Sequence, residues 1–371
     1  MTASRMSETA PTLQLGPAPG ADALVPGRTG LMVPVRQTLA VLSKRLFAAV
    51  IQMTVVSILV FIVLRAMPAD PTALLLPPEA STEDMMKMRA ALGLDRSIPE
   101  QYLLWLGDVL NGDLGRSNLF KEPVSDLIGR ALPITLELVI FGLALGILLG
   151  VVLALASFYW RGGLTERSVN FISGISQAIP EFLWGILLLL AFGVALQLLP
   201  FTGPIHPSYV VPRVTGFIVI DALISGQFEA LASRFSHLIL PGLAIGMSKA
   251  PLVVRVLRSS LLEIYTEEYI ASARLRGYSE RRILLGHALR NAILPTISLI
   301  GVQAGFTFGG TLLLEAIFSH PGLGNLMISA IRAHDLMLIQ GITLSYCVVV
   351  LLLSAFTDLV YYWANPRLRR Q

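Results

Sequence analysis

Five stretches of this chain run for 18 residues or more without a charged side chain: 46–64, 138–160, 182–199, 291–314 and 336–357. No other feature constrains the fold as strongly. A helix that crosses a bilayer needs ~20 apolar residues, and backbone polar groups in hydrocarbon must be satisfied within the segment. The third run is predicted to begin earlier, near Asn170, with Glu181 embedded. A sixth run, 235–254, is broken only by Lys249 and counts as a span. The apolar segment 214–228 is short and contains Asp221, so it reads as a surface or re-entrant helix outside the membrane core.

Composition agrees. Charged residues make up 14% of the chain, against roughly 25% in soluble domains. That excludes a single soluble domain and also disorder over most of the length. One cysteine, Cys347, excludes an intrachain disulfide framework and a cysteine metal cluster, and its apolar setting makes it a small core hydrophobe. The formal charge of +4 serves topology rather than nucleic acid. With the N-terminus inside, the inner segments hold seventeen Lys and Arg. The outer segments hold three once the long loop 65–130 is set aside, because long loops escape the rule. Both termini are therefore expected in the cytoplasm. Residues 1–40, rich in Pro, Gly, Ala and Thr, read as a disordered arm.

Small residues at four-residue spacing let membrane helices approach closely. Gly142, Gly146 and Gly150 recur in the second span, Gly242 and Gly246 in the fourth, and Gly301, Gly305 and Gly309 in the fifth. They are expected at helix–helix contacts. Pro180, Pro241 and Pro295 are placed at or near helix starts, where a missing N–H costs little. Intramembrane charge is expensive and often functional. Glu181 and Lys249 are read as lining a polar pathway or pairing with each other, and Glu137 and Glu315 as lying at the interface, held by outer-loop groups.

The loop 255–295 is the richest in signals. Thr266 can cap a helix whose first turn holds Glu267 and Glu268. Gly277 can stop it, and Ser279 can cap a second helix running toward Pro295. The first helix, from about Thr266 to Arg276, shows Ile270, Ala273 and the small Ala271 and Ser272. Its small-residue face suits a groove on a partner protein or an anionic lipid surface. In the outer loop, Ser81 or Thr82 can cap one helix with Glu83 and Asp84 in its first turn, ending near Gly93. Pro99 opens another, with Tyr102, Leu103, Leu106, Val109 and Leu110 on one stripe.

The segment with Tyr269, Ala273, Arg274, Gly277, His287, Leu289, Arg290, Asn291, Ala292 and Pro295 resembles the cytoplasmic coupling loop of ABC-importer permeases of the dipeptide/oligopeptide (peptide/nickel) family. Ala271 stands where the wider family has Glu. The resemblance extends from about Leu39 to Arg369, through Arg65, Pro68, Asp70 and Pro71, and through the segments 92–117, 132–138, 179–185, 237–246, 312–324 and 365–369. It implies an all-α integral membrane protein with six transmembrane helices, a type I importer permease with a small helical periplasmic loop domain. The implied divisions are an arm (1–40), a first span (41–64), the loop domain (65–130), a core (131–365) carrying the coupling loop, and a tail (366–371).

The resemblance further implies a bacterial inner-membrane permease subunit that forms half of a translocation pathway for peptides. Its implied partners are a homologous second permease, two ATP-binding subunits, a substrate-binding protein and the bilayer, with no nucleic acid. Thr266, Glu267, Glu268, Tyr269, Ala271, Ala273, Arg274, Gly277, His287, Arg290 and Asn291 are the residues it marks for contact with the ATP-binding subunits. ATP and magnesium would reside on those subunits. None of the four lysines follows a glycine, so a G-x-x-x-x-G-K-[ST] loop is absent, and no HExxH or G-x-S-x-G motif occurs. Nickel chelates or sugars are alternative cargoes on the same scaffold. A stand-alone secondary transporter would need an internal repeat, and none is evident.

Overall fold

The computed structural model describes residues 35–66, 81, 83, 86, 87 and 95–364. The described elements are helical, apart from one isolated antiparallel bridge between Arg116 and Pro123. In chain order they are α1 (Val35–Arg65), α2 (Ile98–Leu110), α3 (Val124–Tyr159), α4 (Leu164–Ala178), α5 (Glu181–Ala195), α6 (Ile218–Ile224), α7 (Phe228–Ile264), α8 (Glu268–Leu275), α9 (Glu280–Ile317), α10 (Leu323–Arg332) and α11 (Leu336–Ala364). Five helices, α1, α3, α7, α9 and α11, are long and apolar enough to cross a membrane, and the pair α4–α5 would make a sixth span.

That pair corrects the expectation of one continuous third span. The chain bends by 103° between α4 and α5. The cause is local: a residue before proline is pushed out of the helical region, and Ile179, ahead of Pro180, has φ −91° and ψ 121°. Pro180 then caps α5, whose last two turns, Leu189–Ala195, widen into a π-helix. Two other proline assignments are also corrected. Pro241 lies inside α7 and Pro295 inside α9, as Pro133 does in α3 and Pro251 in α7. Long membrane helices tolerate interior proline because neighbouring helices and small local adjustments re-satisfy the freed carbonyls. The arm expected over 1–40 lies outside the described residues up to 34, and its last six residues are already helical. The tail 366–371 is outside them too, as are Thr82, Asp84 and Gly93 of the first outer helix.

Helices α3 and α7 form the central pair, and their glycines set the spacing. A Cβ on Gly146 would sit 3.2 Å from the Gly246 Cα, one on Gly142 2.7 Å from the Ile245 Cβ, and one on Gly150 2.5 Å from the Val253 Cβ. A Cβ on Gly242 would meet the Phe141 ring at 2.6 Å. In α9, Gly301 and Gly305 face Thr357 and Val350 of α11, whereas Gly309 faces open space.

Three apolar clusters lie along α3, the first two shared with α7. One, at the end where α8 lies, joins Phe158, Leu257, Leu261, Ile270, Ile283 and Ala288. A middle one includes Leu138, Leu188, Ile245 and Phe318. The third, at the opposite end, gathers Val124, Ile128, Phe308, Leu323, Leu338 and Ile342. Helix α2 docks on α1 through Tyr102 and Trp105, whose rings lie 5.4 and 5.6 Å from Phe61. The Tyr102 hydroxyl also meets the Ser57 Oγ at 2.8 Å. Leu103 and Leu110, expected on one apolar stripe with Tyr102, are exposed, and Trp105 packs on Phe61 instead.

Candidate functional site: the knuckle between α7 and α9

Residues 265–279 fold into a knuckle that joins the ends of two spans. α7 closes at Tyr265, the Thr266 hydroxyl turns back to donate to the Glu263 carbonyl (2.7 Å), and Glu267 becomes the residue before α8. Thr266 therefore does not cap α8, because its hydroxyl is already spent on the preceding helix. Glu268 lies in the first turn, where the helix dipole favours an acid. Gly277 ends the turn at φ +79°, a left-handed conformation that glycine adopts without steric cost. Ser279 precedes α9 without a side-chain cap bond. α9 opens with a π stretch, Ile283–Ala288.

The two faces of α8 have different tasks. Ile270 and Ala273 are buried against Phe158, Leu257, Leu261 and Ile283. This corrects the expectation that both belong to a partner-facing surface: they anchor α8 to its own chain. Ala271 and Ser272 are exposed, with Glu268 before them and Leu275 after, on the opposite face at helical spacing. Leu275 is 90% exposed, between Arg274 and Arg276. Its single apolar side chain among charges gave little sequence signal, although i, i+3, i+4, i+7 spacing from Glu268 would have found it.

A chain of ring and charge contacts stiffens the knuckle. The Arg161 guanidinium lies over Phe158 (5.2 Å) and Tyr265 (5.8 Å), and Arg274 stacks on Tyr265 from another side (5.4 Å). Arg274 donates to Glu280 at 2.7 Å, and that bond holds its guanidinium above the usual arginine range. Burial, with Glu280 nearby, raises the Tyr265 phenol. Tyr278 stacks on His287 at 5.5 Å, and the Arg282 guanidinium lies 4.8 Å from the Tyr278 ring centre. The Asn291 amide donates to the Tyr269 hydroxyl at 3.0 Å. Thr266, Glu267, Glu268, Tyr269, Arg290 and Asn291 are exposed, and His287 is half-buried. Exposed pairs such as Arg274–Glu280 contribute only ~0.2–1 kcal/mol each. Rigidity comes from the apolar cluster beneath them.

The intramembrane charges are all held. Glu181 pairs with Lys249 at 2.8 Å, beside the break between α4 and α5. Glu137 pairs with Arg234 at 2.7 Å and accepts from the Val219 N–H. Glu315 accepts from the Thr135 hydroxyl (2.6 Å) and from the N–H groups of Gly324 and Asn325, at the start of α10. Two further acids are held, Asp335, which the sequence did not single out, and Asp221, which it marked only as interrupting an apolar segment. Asp335 accepts from Ser117 (2.6 Å), Leu119 N–H and Leu338 N–H, tying the outer loop to α11. Asp221 gathers the N–H groups of Val214, Thr215 and Gly216. Burial alone would raise the Asp221 carboxyl, but these donors and the Thr215 hydroxyl hold it below the usual range. His320, buried in the turn between α9 and α10, is pushed down to about 3 by burial and by Arg234 and His237. No cluster of three or more His, Cys, Asp or Glu suited to a metal occurs among the described residues.

The family model for the binding-protein-dependent transport system inner membrane component matches residues 146–370, which contain the knuckle. The chain belongs to this family. The N-terminal model of the same membrane components matches 38–139. The di/tripeptide transport system permease protein DppB of Pseudomonas aeruginosa is 35% identical over 322 residues, 85% of this chain and 94% of that one. A putative peptide permease protein of Brucella ovis is 35% identical over 328 residues, 88% and 97%. The dipeptide transport system permease protein DppB of Escherichia coli K12 is 33% identical over 324 residues, 85% and 94%. A chain of the methionine ABC transporter MetNI, in its inward-facing conformations, aligns with a TM-score of 0.49 at 17% identity, covering 64% of this chain and 96% of that one. In this transport-system component, then, the knuckle has one face packed on its own spans through Ile270 and Ala273 and another exposed through Ala271, Ser272 and Leu275.

Proposed function

We propose that the chain is one of two permease subunits lining the translocation pathway of an ATP-driven importer of di- and oligopeptides. The knuckle lies on the cytoplasmic side with both termini and docks in a cleft of an ATP-binding subunit. A substrate-binding protein meets the opposite end, near α2 and α10. The hydrolytic chemistry, with ATP and magnesium, belongs to the partner subunits. The similarity to peptide permeases supports the cargo.

The observation that carries the mechanism is the division of α8. Glu268, Ala271, Ser272 and Leu275 face outward, while Ile270 and Ala273 lock α8 to α3, α7 and α9. Closure of the ATP-binding subunits moves α8 as a rigid body. α7 and α9 follow because the buried cluster is close-packed and transmits displacement instead of absorbing it.

The test uses the assembled importer in vesicles with its binding protein. Ala271→Trp and Leu275→Glu alter only the exposed face. Each should leave the permease folded and span-inserted, yet cut peptide uptake at least tenfold while basal ATP hydrolysis continues. Normal uptake by both variants would overturn the mechanism. Ala273→Trp and Gly277→Pro are poor probes. The first overpacks a buried position, and the second forces φ near −65° where the chain needs +79°.

A further inference from the structure

Between α4 and α7, in the half of the bundle that leads to the knuckle, lies an open cleft of about 310 Å³, along which Asn170, Gln177, Arg255 and Ser259 are exposed. That is within the ~300–1,000 Å³ of small-ligand sites. α4 supplies Asn170, Ser173 and Gln177, and α7 supplies Arg255, Arg258 and Ser259. Val254 and Leu262 add apolar wall, and no carboxylate lines it. The charge balance is uneven. Arg258 is neutralised by an ion pair with Glu166, whereas Arg255 bonds only the neutral Gln177 amide oxygen. Among the described residues no carboxylate pairs with Arg255, so the cleft keeps one uncompensated positive charge. Gly174, also lining it, leaves room: a Cβ there would meet nothing within 4 Å.

We propose that this cleft is a monoanion-binding subsite of the translocation route that takes the free carboxylate of a transported peptide at Arg255. The proposal rests on the peptide-importer reading above. One net charge matches one carboxylate. The amide and hydroxyl groups of Asn170, Ser173 and Ser259 suit the peptide N–H and C=O, and the apolar wall suits a side chain. A lipid phosphate offers similar charge but has no use for the amide-rich wall. Arg255 lies ten residues before Tyr265, ~15 Å along α7, so a ligand there rests against the helix that carries the knuckle.

The test uses the importer assembled with its partner subunits in phosphatidylcholine nanodiscs, with Gly174→Cys introduced in a Cys347→Ser background. An anionic sulfonate thiol reagent should label the introduced thiol on the order of tenfold faster than a cationic trimethylammonium reagent, by electrostatic attraction. Millimolar dialanine should protect the thiol, and dialanine amide should not. Arg255→Gln should abolish both the preference and the protection, whereas Arg255→Lys should keep the preference. Equal labelling rates, a preference that survives Arg255→Gln, or equal protection by the amide would overturn the proposal. Protection seen only in phosphatidylglycerol nanodiscs, with dialanine inert, would overturn it too and assign the site to lipid phosphate. Binding-protein-dependent dialanine uptake by the unaltered importer judges the peptide reading separately, so intact uptake with failed protection defeats the subsite alone.

Discussion

Removing Arg234 should be among the most damaging single changes available outside the knuckle. Its side chain is fully buried, it meets Glu137 at 2.7 Å, and it donates to the Pro204 carbonyl at 2.9 Å. At an effective dielectric of ~20, the Coulomb attraction at that distance is ~6 kcal/mol. Desolvation of two ions, several kcal/mol each, offsets most of it. The intact pair is therefore close to neutral against an apolar substitute, while a lone survivor is not. Arg234→Met leaves Glu137 buried with only the Val219 N–H as a donor, which should cost ~3–5 kcal/mol, and it orphans the Pro204 carbonyl as well, at ~1–3 kcal/mol more.

The double variant Glu137→Leu/Arg234→Met abolishes both buried charges. It leaves two backbone groups to re-satisfy, the Val219 N–H and the Pro204 C=O, at ~1–3 kcal/mol each if they stay dry. The double variant should thus lose no more stability than Arg234→Met alone, far less than the summed single effects. Reversible SDS unfolding of the purified chain, followed by tryptophan fluorescence, measures all three variants in one cycle. Additive losses, or an Arg234→Met loss below ~1 kcal/mol, would refute the argument.

Glycine substitutions should separate contact from composition. Gly146→Leu, aimed at the Gly246 backbone, should disrupt the α3–α7 pair and lower the recovery of folded protein several-fold in detergent. Gly309→Ala, facing open space, should hold or raise stability by up to ~1 kcal/mol through helix propensity. Asp221 predicts an acid limit. Its folded carboxyl lies below the unfolded value of ~3.9, so the stability it adds is fully present above that value and is lost as pH falls through the folded pKa. The hydrogen-exchange protection factors of 214–216, corrected for the intrinsic rate at each pH, should fall below about pH 4. Asp221→Asn should remove that acid dependence, and an unchanged profile would count against the assignment.

The spans were legible because hydrocarbon leaves a plain record: uncharged runs of sufficient length have no other stable fate. The helix–glycine–helix order of the knuckle was equally readable from Glu268, Gly277 and Ser279. Which residues face the partner was less so. Ile270, Ala271, Ser272 and Ala273 are four adjacent small or apolar positions, so composition does not separate them, and only the helical spacing from Glu268 divides the outward pair from the pair kept for the core. Trp105 and Leu103 on α2 exchanged roles for the same reason, because the Phe61 ring selected the aromatic.

Composition and pattern determined that this chain is a helical membrane protein, where its spans lie, and that a charged knuckle interrupts them. Only the folded bundle decided how Glu137 and Glu315 are held and that Glu181 and Lys249 pair, because Arg234, Lys249, Thr135 and the first turn of α10 come from distant segments. It also decided that α4 and α5 are halves at 103° and not one rod. Proline at 180 biases Ile179 toward its extended conformation, but the angle that follows depends on what α7 and α9 offer to pack against. Local chemistry sets where a helix must break, and long-range packing sets where the pieces go.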